Sequence, residues 1–423
     1  MKAYKANILY TPTPERFVLL EHGYVVVGDD GCVVDTYASL PDEYSNLELI
    51  DFGDQMLMPA MNDLHVHAPQ YRNLGIAMDM ELLPWLNTYT FPEELKYSDV
   101  KYAERMYRRF VHDLWKLGTM RAAIYTTIHP AASCLLADIL HEANMGGMIG
   151  LVGMDRNSPE GLTNTVEQWK EGMDLLIAHT ASMPLISTII TPRFVPSCTP
   201  EMLNVMGRMA HDKQLPVQSH LSENQSEIEW VKELEPLASC YGDAYNRYGL
   251  FGQTPTLMAH CCYTDKEEFE LMRRNHVFAV HCPTSNCNLG SGIAPIRRFM
   301  NAGIPVALGS DVSAGSGFSI FRAIHYTLQM AKMKWVHSNH RDMFLSLSEA
   351  FYLATKSGGS FFGKVGSFEP GYAFDALVVD DSQLNFDNYT LQHRLERYIY
   401  LGDDRHLTHR FCQGQEITAP RII

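Results

Sequence analysis

The sequence predicts an α/β protein: a (β/α)8 barrel of the TIM type joined to a small β-sandwich domain built from both termini. Three observations predict it. Eight short apolar runs alternate with longer stretches of helical period through the middle of the chain, the signature of parallel βα units. Six of those eight runs close on His, Arg or Asp, and in barrel enzymes the C-terminal strand ends converge on the active site. The first 55 or so residues and the last 50 or so are both β-rich and unlike the middle. The expected bounds are 1–57 and 369–423 for the two parts of the sandwich and 58–368 for the barrel.

In the first part, Phe17-Val18-Leu19-Leu20 and Tyr24-Val25-Val26-Val27-Gly28 read as strands, and Asp29-Asp30-Gly31 as a hairpin turn into Cys32-Val33-Val34. The eight runs of the middle fall at about 56–65, 119–128, 148–154, 185–191, 216–220, 256–260, 277–281 and 305–310. Between the first two, Ala103, Tyr107, Phe110 and Leu114 are spaced for one face of a helix. Eight such units fit a barrel of roughly 250 residues plus insertions. In the last part, Ala376-Leu377-Val378-Val379 and Arg397-Tyr398-Ile399-Tyr400-Leu401 read as strands, the second followed by a turn at Gly402-Asp403-Asp404.

Composition narrows the function. A chain of 423 residues buries a large core and exceeds one compact domain. Its 46% hydrophobic and 20% charged residues are those of an ordinary globular protein. With 34 Lys+Arg against 49 Asp+Glu, the net charge of −15 opposes a nucleic-acid partner. It leaves room for a small neutral substrate in a closed pocket. The start, Met1-Lys2-Ala3-Tyr4-Lys5, lacks the apolar core of a signal peptide, and no run reaches transmembrane length. Nine cysteines without a repeated CxxC read as reduced thiols. The expectation is a cytoplasmic protein with no membrane partner.

The run ends carry the chemistry. The first closes on Asp63-Leu64-His65-Val66-His67. Alternate residues of a strand share a face, so both imidazoles aim at one point. The fourth ends at Thr191-Pro192-Arg193-Phe194, the fifth at His220, the sixth at His260, the seventh at His281 and the eighth at Asp311. His65, His67, His220 and Asp311 form a ligand set for a Zn2+- or Fe2+-class ion. Each alone reads as a buried, hydrogen-bonded polar residue; the four together read as a metal site. No run ends in a lysine that carboxylation would turn into a bridge between two metals, which favours one ion. Such an ion lowers the pKa of its water to about 7, and Asp311 is placed to accept the proton released. Glu223, three residues beyond His220, reads either as the opening residue of a helix Glu223–Leu234, complementing its dipole, or as a proton shuttle. His260 is a second candidate for polarising or protonating the reacting centre, and His281 a supporting residue.

These residues resemble the amidohydrolase superfamily in its mononuclear deaminase and chlorohydrolase branch, and within it the guanine deaminases. The likeness rests on His67-Ala68-Pro69-Gln70-Tyr71, on Leu82-Leu83-Pro84-Trp85-Leu86-Asn87-Thr88-Tyr89-Thr90-Phe91-Pro92-Glu93, a WLxxYTFPxE stretch, and on Thr191-Pro192-Arg193-Phe194. It continues through Ser219-His220-Leu221-Ser222-Glu223-Asn224 and Ala279-Val280-His281-Cys282-Pro283-Thr284-Ser285-Asn286, nearly the whole chain in the expected order. Pro69 and Cys261 depart from the pattern without replacing a ligand.

The resemblance implies the barrel and terminal sandwich, one zinc at His65, His67, His220 and Asp311 (iron in some relatives), and often a homodimer. It also implies Glu223 as proton shuttle and Gln70, Arg193 and Phe194 as purine-binding residues. His220 and Glu223 are expected to touch the substrate as well. The Arg193 fork suits the O6 and N7 acceptors of guanine and rejects adenine, which puts an amine there. Phe194 is placed to stack on the ring; Trp85 reads as pocket wall, lid or plain core. The implied reaction is hydrolysis at C2 of guanine to xanthine and ammonia, a step of purine catabolism or salvage. In it Glu223 delivers a proton to the adjacent ring nitrogen, and Asp311 assists proton removal.

Rival readings are a relative acting on another ring (a triazine, an adenosine-like nucleoside, cytosine) and a catalytically dead scaffold. Arg193-Phe194 and the Trp85–Pro92 segment argue against the first, and the retained ligands and Glu223 against the second. Gly358-x4-Gly363-Lys364-Val365 approaches a P-loop but lacks Ser/Thr after the lysine and follows a helical stretch, 347–356. Cys282-Pro283 with Cys287 has the wrong spacing for cytidine-type zinc deaminases and lacks their HxE partner.

Overall fold

The computed structural model describes residues 1–386 and 389–423. Both ends of the chain meet in one seven-stranded sheet. Its order is Gln415–Glu416, Leu407–Cys412, Ala376–Val379, Glu48–Pro59, Lys2–Thr13, Arg16–Val27 and Val33–Tyr37. Ala376–Val379 runs antiparallel to Glu48–Pro59, with Ala376 opposite Pro59 and Val379 opposite Met56. An aromatic core fills this region: Tyr4 stacks on Phe374 at 4.8 Å, and Phe374 lies 5.3 Å from Phe411. The turn at Asp29–Gly31 leads into Val33–Tyr37 as its composition requires, Gly31 taking the left-handed φ of 76° that a side chain disfavours.

The middle of the chain builds two four-stranded parallel sheets. One runs Met61–His67, Thr119–Tyr125, Gly146–Gly150, Ile186–Thr188; the other Val217–Leu221, Thr256–His260, Phe278–His281, Val306–Leu308. Every residue of Met61–His67 and Thr119–Tyr125 is buried, which is why these strands read as unbroken apolar runs rather than alternating ones. Helices connect the strands. In Val100–Lys116, Ala103, Tyr107, Phe110, Val111 and Leu114 face the core, and the Asp99 side chain accepts from the Lys101 N–H at the cap. An Ile190–Val217 bridge joins the two sheets at one edge. Near the other, the Asp311 N–H donates to the His65 carbonyl at 2.9 Å. Arg121 and Asp375, both buried, tie the second strand of the first sheet to the terminal sheet through two hydrogen bonds of 2.5 and 3.2 Å.

Three expectations need correction. The run read as 56–65 divides at Ala60: Met56–Pro59 belongs to the terminal sheet and Met61–His67 to the first parallel sheet. Both pieces are buried, so the pattern does not mark the break. Arg397–Leu401 is the end of a helix, Leu391–Leu401. Its buried Leu391, Leu395, Tyr398 and Ile399 follow the helical period, which outweighs the local β-branched and aromatic content. The helix after the fifth strand begins at Gln225, not Glu223.

Candidate active site

Strand ends deliver the site. Met61–His67 supplies His65 and His67, Val217–Leu221 supplies His220, and Thr256–His260 ends on His260. Asp311 follows Val306–Leu308 by three residues. The backbone bends sharply at two of these ends: His260 has φ 71° and Asp311 φ 49°. Such left-handed conformations cost a non-glycine residue free energy and collect at functional sites. At Gly309 a Cβ would stand 2.8 Å from that of His65, so only hydrogen fits between the eighth strand and this ligand candidate. Asp63 ties the same two strands together by accepting from the N–H groups of His65 (3.2 Å) and Ser310 (3.0 Å) and from the Ser310 hydroxyl.

The side chains converge. His65 and His67 place their Nε2 atoms 3.2 Å apart, and Asp311 Oδ1 lies 3.3 and 3.4 Å from them. His220 Nε2 is 3.3 Å from that of His67. His220 Nδ1 sits 2.7 Å from the Arg193 carbonyl. A carbonyl only accepts, so Nδ1 carries the hydrogen and Nε2 turns a lone pair inward. Burial lowers the pKa of all three histidines, with neighbouring histidines adding to the effect on His67 and His220. Imidazole nitrogens of His65, His67 and His220 thus gather at successive separations of 3.2 and 3.3 Å beside a carboxylate, with the His220 lone pair turned among them. This donor set therefore fits a divalent ion. Two overlapping triads, His65–His67–Asp311 and His65–His220–His260, hold their ligand atoms within 4.8 Å.

Beside the cluster stand two proton carriers. Glu223 precedes the cap residue Asn224, and Glu227 occupies the acidic place in the first helical turn, accepting from the Glu223 and Asn224 N–H groups. The dipole-complementing role considered for Glu223 thus falls to Glu227. The freed Glu223 carboxylate accepts from the Ser291 hydroxyl at 2.9 Å and lies 3.5 Å from His260 Nε2. Burial pushes its pKa up to about 7, against the opposing pull of His260. Burial lowers His260, but the charges of Glu223 and Asp311 outweigh it and leave the pKa raised. His260 Nδ1 is anchored to Asn286 Oδ1 at 2.9 Å. His281 is not brought to the cluster. It lines a separate cavity with Thr327 and Lys334, and burial lowers its pKa to about 3.

A pocket opens over these groups, concave and mostly apolar with a few convergent polar side chains, as small-molecule sites are. Gln70, Trp85, Arg193 and Phe194 line it together with His67, His220, Glu223, His260 and Asp311. Gln70 donates to Glu94 Oε1 at 3.0 Å, and Arg193 Nη1 donates to Glu94 Oε2 at 2.5 Å. The Arg193 guanidinium lies over the Phe91 ring at 5.1 Å. Phe194 is buried edge-on to Trp230. Trp85 ends the short helix Leu82–Trp85, its indole N–H bound to the Ile76 carbonyl at 3.1 Å, so it is both core and wall. Pattern alone does not single out Glu94, Ser291, Asn286 or Tyr125, whose ring lies 4.4 Å from that of His67. Two of them carry a motif signal, Glu94 as the closing acid of the WLxxYTFPxE stretch and Asn286 as the last residue of Ala279–Asn286.

The sequence model of the Amidohydrolase family matches residues 56–417. The chain is 36% identical over 447 residues to the guanine deaminase of Dictyostelium discoideum, covering 99% of this chain and 98% of that relative. A crystal structure of guanine deaminase from C. acetobutylicum, with guanine bound in its active site, superposes with a TM-score of 0.97 at 50% identity, covering 99% of this chain and 100% of the other. An adenosine deaminase from Xanthomonas campestris with bound zinc reaches a TM-score of 0.85 at 20% identity, covering 100% and 94%. At that identity the likeness speaks for the fold alone.

Proposed function

The chain belongs to the amidohydrolase family, and we infer that it hydrolyses guanine to xanthine and ammonia. One observation carries this reading: a single pocket is lined by His67, His220 and Asp311, which cluster with His65 behind them, by the buried acid Glu223 and by the polar pair Gln70 and Arg193. Two of the relatives named above, matched over almost the whole chain, are guanine deaminases.

We read the fold as a closed (β/α)8 barrel over 58–368 with a β-sandwich over 1–57 and 369–423. The joins between the two parallel sheets at Ile190–Val217 and at Asp311–His65 support closure. One divalent ion is held by His65, His67, His220 and Asp311. Zn2+ suits three nitrogens and one carboxylate oxygen, and Fe2+ is the alternative. Such an ion, when bound, makes water a nucleophile at neutral pH. A homodimer is the assembly implied by the resemblance. A cytoplasmic location accords with nine cysteines that are all free thiols.

The remaining work falls to side chains of the chain itself. Arg193 offers guanidinium N–H donors to the O6 and N7 acceptors of guanine. Gln70 binds a neighbouring edge group, Phe194 packs on the base, and Trp85 walls the pocket against solvent. Together they set C2 beside the cluster. As water adds to C2, Asp311 takes up a proton and Glu223 delivers one to the adjacent ring nitrogen. Glu223, now deprotonated and poised by burial near pH 7, then takes the proton of the hydroxyl newly added at C2 and hands it to the departing amine, so that C2=O forms, the C2–N bond breaks and ammonia leaves; the proton held by Asp311 restores Glu223. His260, between Glu223 and Asp311, polarises the reacting centre.

The test is a substrate panel: metal-loaded protein with guanine, adenine, cytosine and a triazine in parallel. Xanthine and ammonia from guanine, with little turnover of the others, is the expected result. Preferred turnover of another ring would overturn the assignment.

A further inference from the structure

We propose that Glu94 is a positioning residue that sets substrate specificity, by fixing the Gln70 amide and the Arg193 guanidinium in one orientation each. The proposal rests on the guanine reading above. Glu94 is 2% exposed and does not line the pocket, so it acts through the two residues that do. Each of its carboxylate oxygens has one partner: Oε1 takes the Gln70 NH2 at 3.0 Å, Oε2 the Arg193 Nη1 at 2.5 Å.

A carboxylate only accepts, so Gln70 must turn its NH2 toward Glu94. The Gln70 carbonyl oxygen then accepts only a long contact from the Ser313 N–H, at 3.5 Å, and keeps a lone pair for a ligand in the pocket that Gln70 lines. Without Glu94 only the long Ser313 contact orients the amide, and a flip would put two further donors beside those of Arg193. The wall would then offer donors alone. With Glu94 it offers an acceptor next to a donor fork. Guanine presents the complement, an O6 acceptor adjacent to an N1–H donor. Glu94 also balances the Arg193 charge in a buried site, so a neutral base enters without facing an unpaired cation. The Phe91 ring beneath the guanidinium and the Glu94 ion pair hold the fork on two sides.

The experiment compares guanine with 2-aminopurine, which keeps the reacting amine at C2 but lacks O6 and N1–H. Wild type and the variants Glu94→Gln and Glu94→Asp, each loaded with zinc and checked for metal content and circular dichroism, are assayed for kcat and KM on both bases. Positioning predicts that Glu94→Gln lowers the guanine to 2-aminopurine ratio of kcat/KM by about tenfold or more, since the site loses its paired recognition of one substrate only. The loss appears chiefly as a higher KM for guanine, and Glu94→Asp, which keeps the charge on a shorter arm, recovers part of the ratio. An unchanged ratio in a folded, metal-loaded Glu94→Gln protein overturns the proposal, even if both rates fall together. If Glu94→Gln does not fold, a wild-type ratio in Glu94→Asp overturns it equally. Failure of the wild type to turn over guanine would instead refute the guanine reading itself.

Discussion

Glu94 and Glu223 serve the same pocket and are buried to nearly the same degree, 2% and 3% exposed. Their partners differ. Glu94 divides its carboxylate between Arg193 and Gln70, the ion pair and hydrogen bond that hold the wall in front of it. Glu223 has a neutral hydroxyl from Ser291 at 2.9 Å and His260 at 3.5 Å, with no Lys or Arg paired to it among the described residues. Burial pushes it up to about 7, where a carboxyl exchanges its proton readily under physiological conditions. The same side chain at the same depth is thus a recognition element or an acid–base group according to its partners.

That contrast can be broken experimentally, beginning with what both sides depend on. Replacing His67 or Asp311 by alanine should abolish turnover together with metal binding, read by metal analysis and rate. Next, Glu223→Gln should keep the metal and a near-normal KM while lowering kcat by about 10²–10⁴-fold; a large rise in KM instead would put Glu223 on the recognition side with Gln70 and Arg193. Arg193→Met breaks the wall and strands the Glu94 charge, at a cost of about 3–5 kcal/mol in folding stability, readable in denaturant unfolding, with weakened guanine binding. A smaller effect is expected at Ser291→Ala, about 1 kcal/mol or several-fold in kcat, because one hydrogen bond to Glu223 is lost.

The last test is in pH. Because the folded-state pKa of Glu223 is raised, its contribution to stability is full below about 4.5 and is lost as pH rises through about 7. Metal-free wild type should therefore lose more thermal stability between pH 5.5 and 8.5 than metal-free Glu223→Gln. Equal losses would mean that Glu223 finds a cationic partner in solution.

The reaction side of the pocket was more legible in the sequence than the recognition side. His65, His67, His220, His260 and Asp311 end or follow buried parallel strands, so strand period and apolar runs announce them. The wall stands on Ala68–Asn73, Leu82–Trp85 and Phe91–Glu94, turns of irregular helix without a regular period. There only the motif pointed to a purine, and it did not reveal that Glu94 joins Gln70 to Arg193. Long-range contacts of this kind leave no local trace, and neither does the Ser291 bond to Glu223, 68 residues apart in the chain. The C-terminal helix Leu391–Leu401 hides for the opposite reason: its last five residues are locally strand-like, and its period shows only over the full length.

The most direct test of the account is the yield of xanthine and ammonia from guanine as the protein is titrated with zinc from the metal-free state. The account predicts one ammonia per xanthine and a rate rising in proportion to bound metal up to one ion per chain. Full activity in the metal-free protein, or a rate that saturates only at two ions per chain, would contradict it.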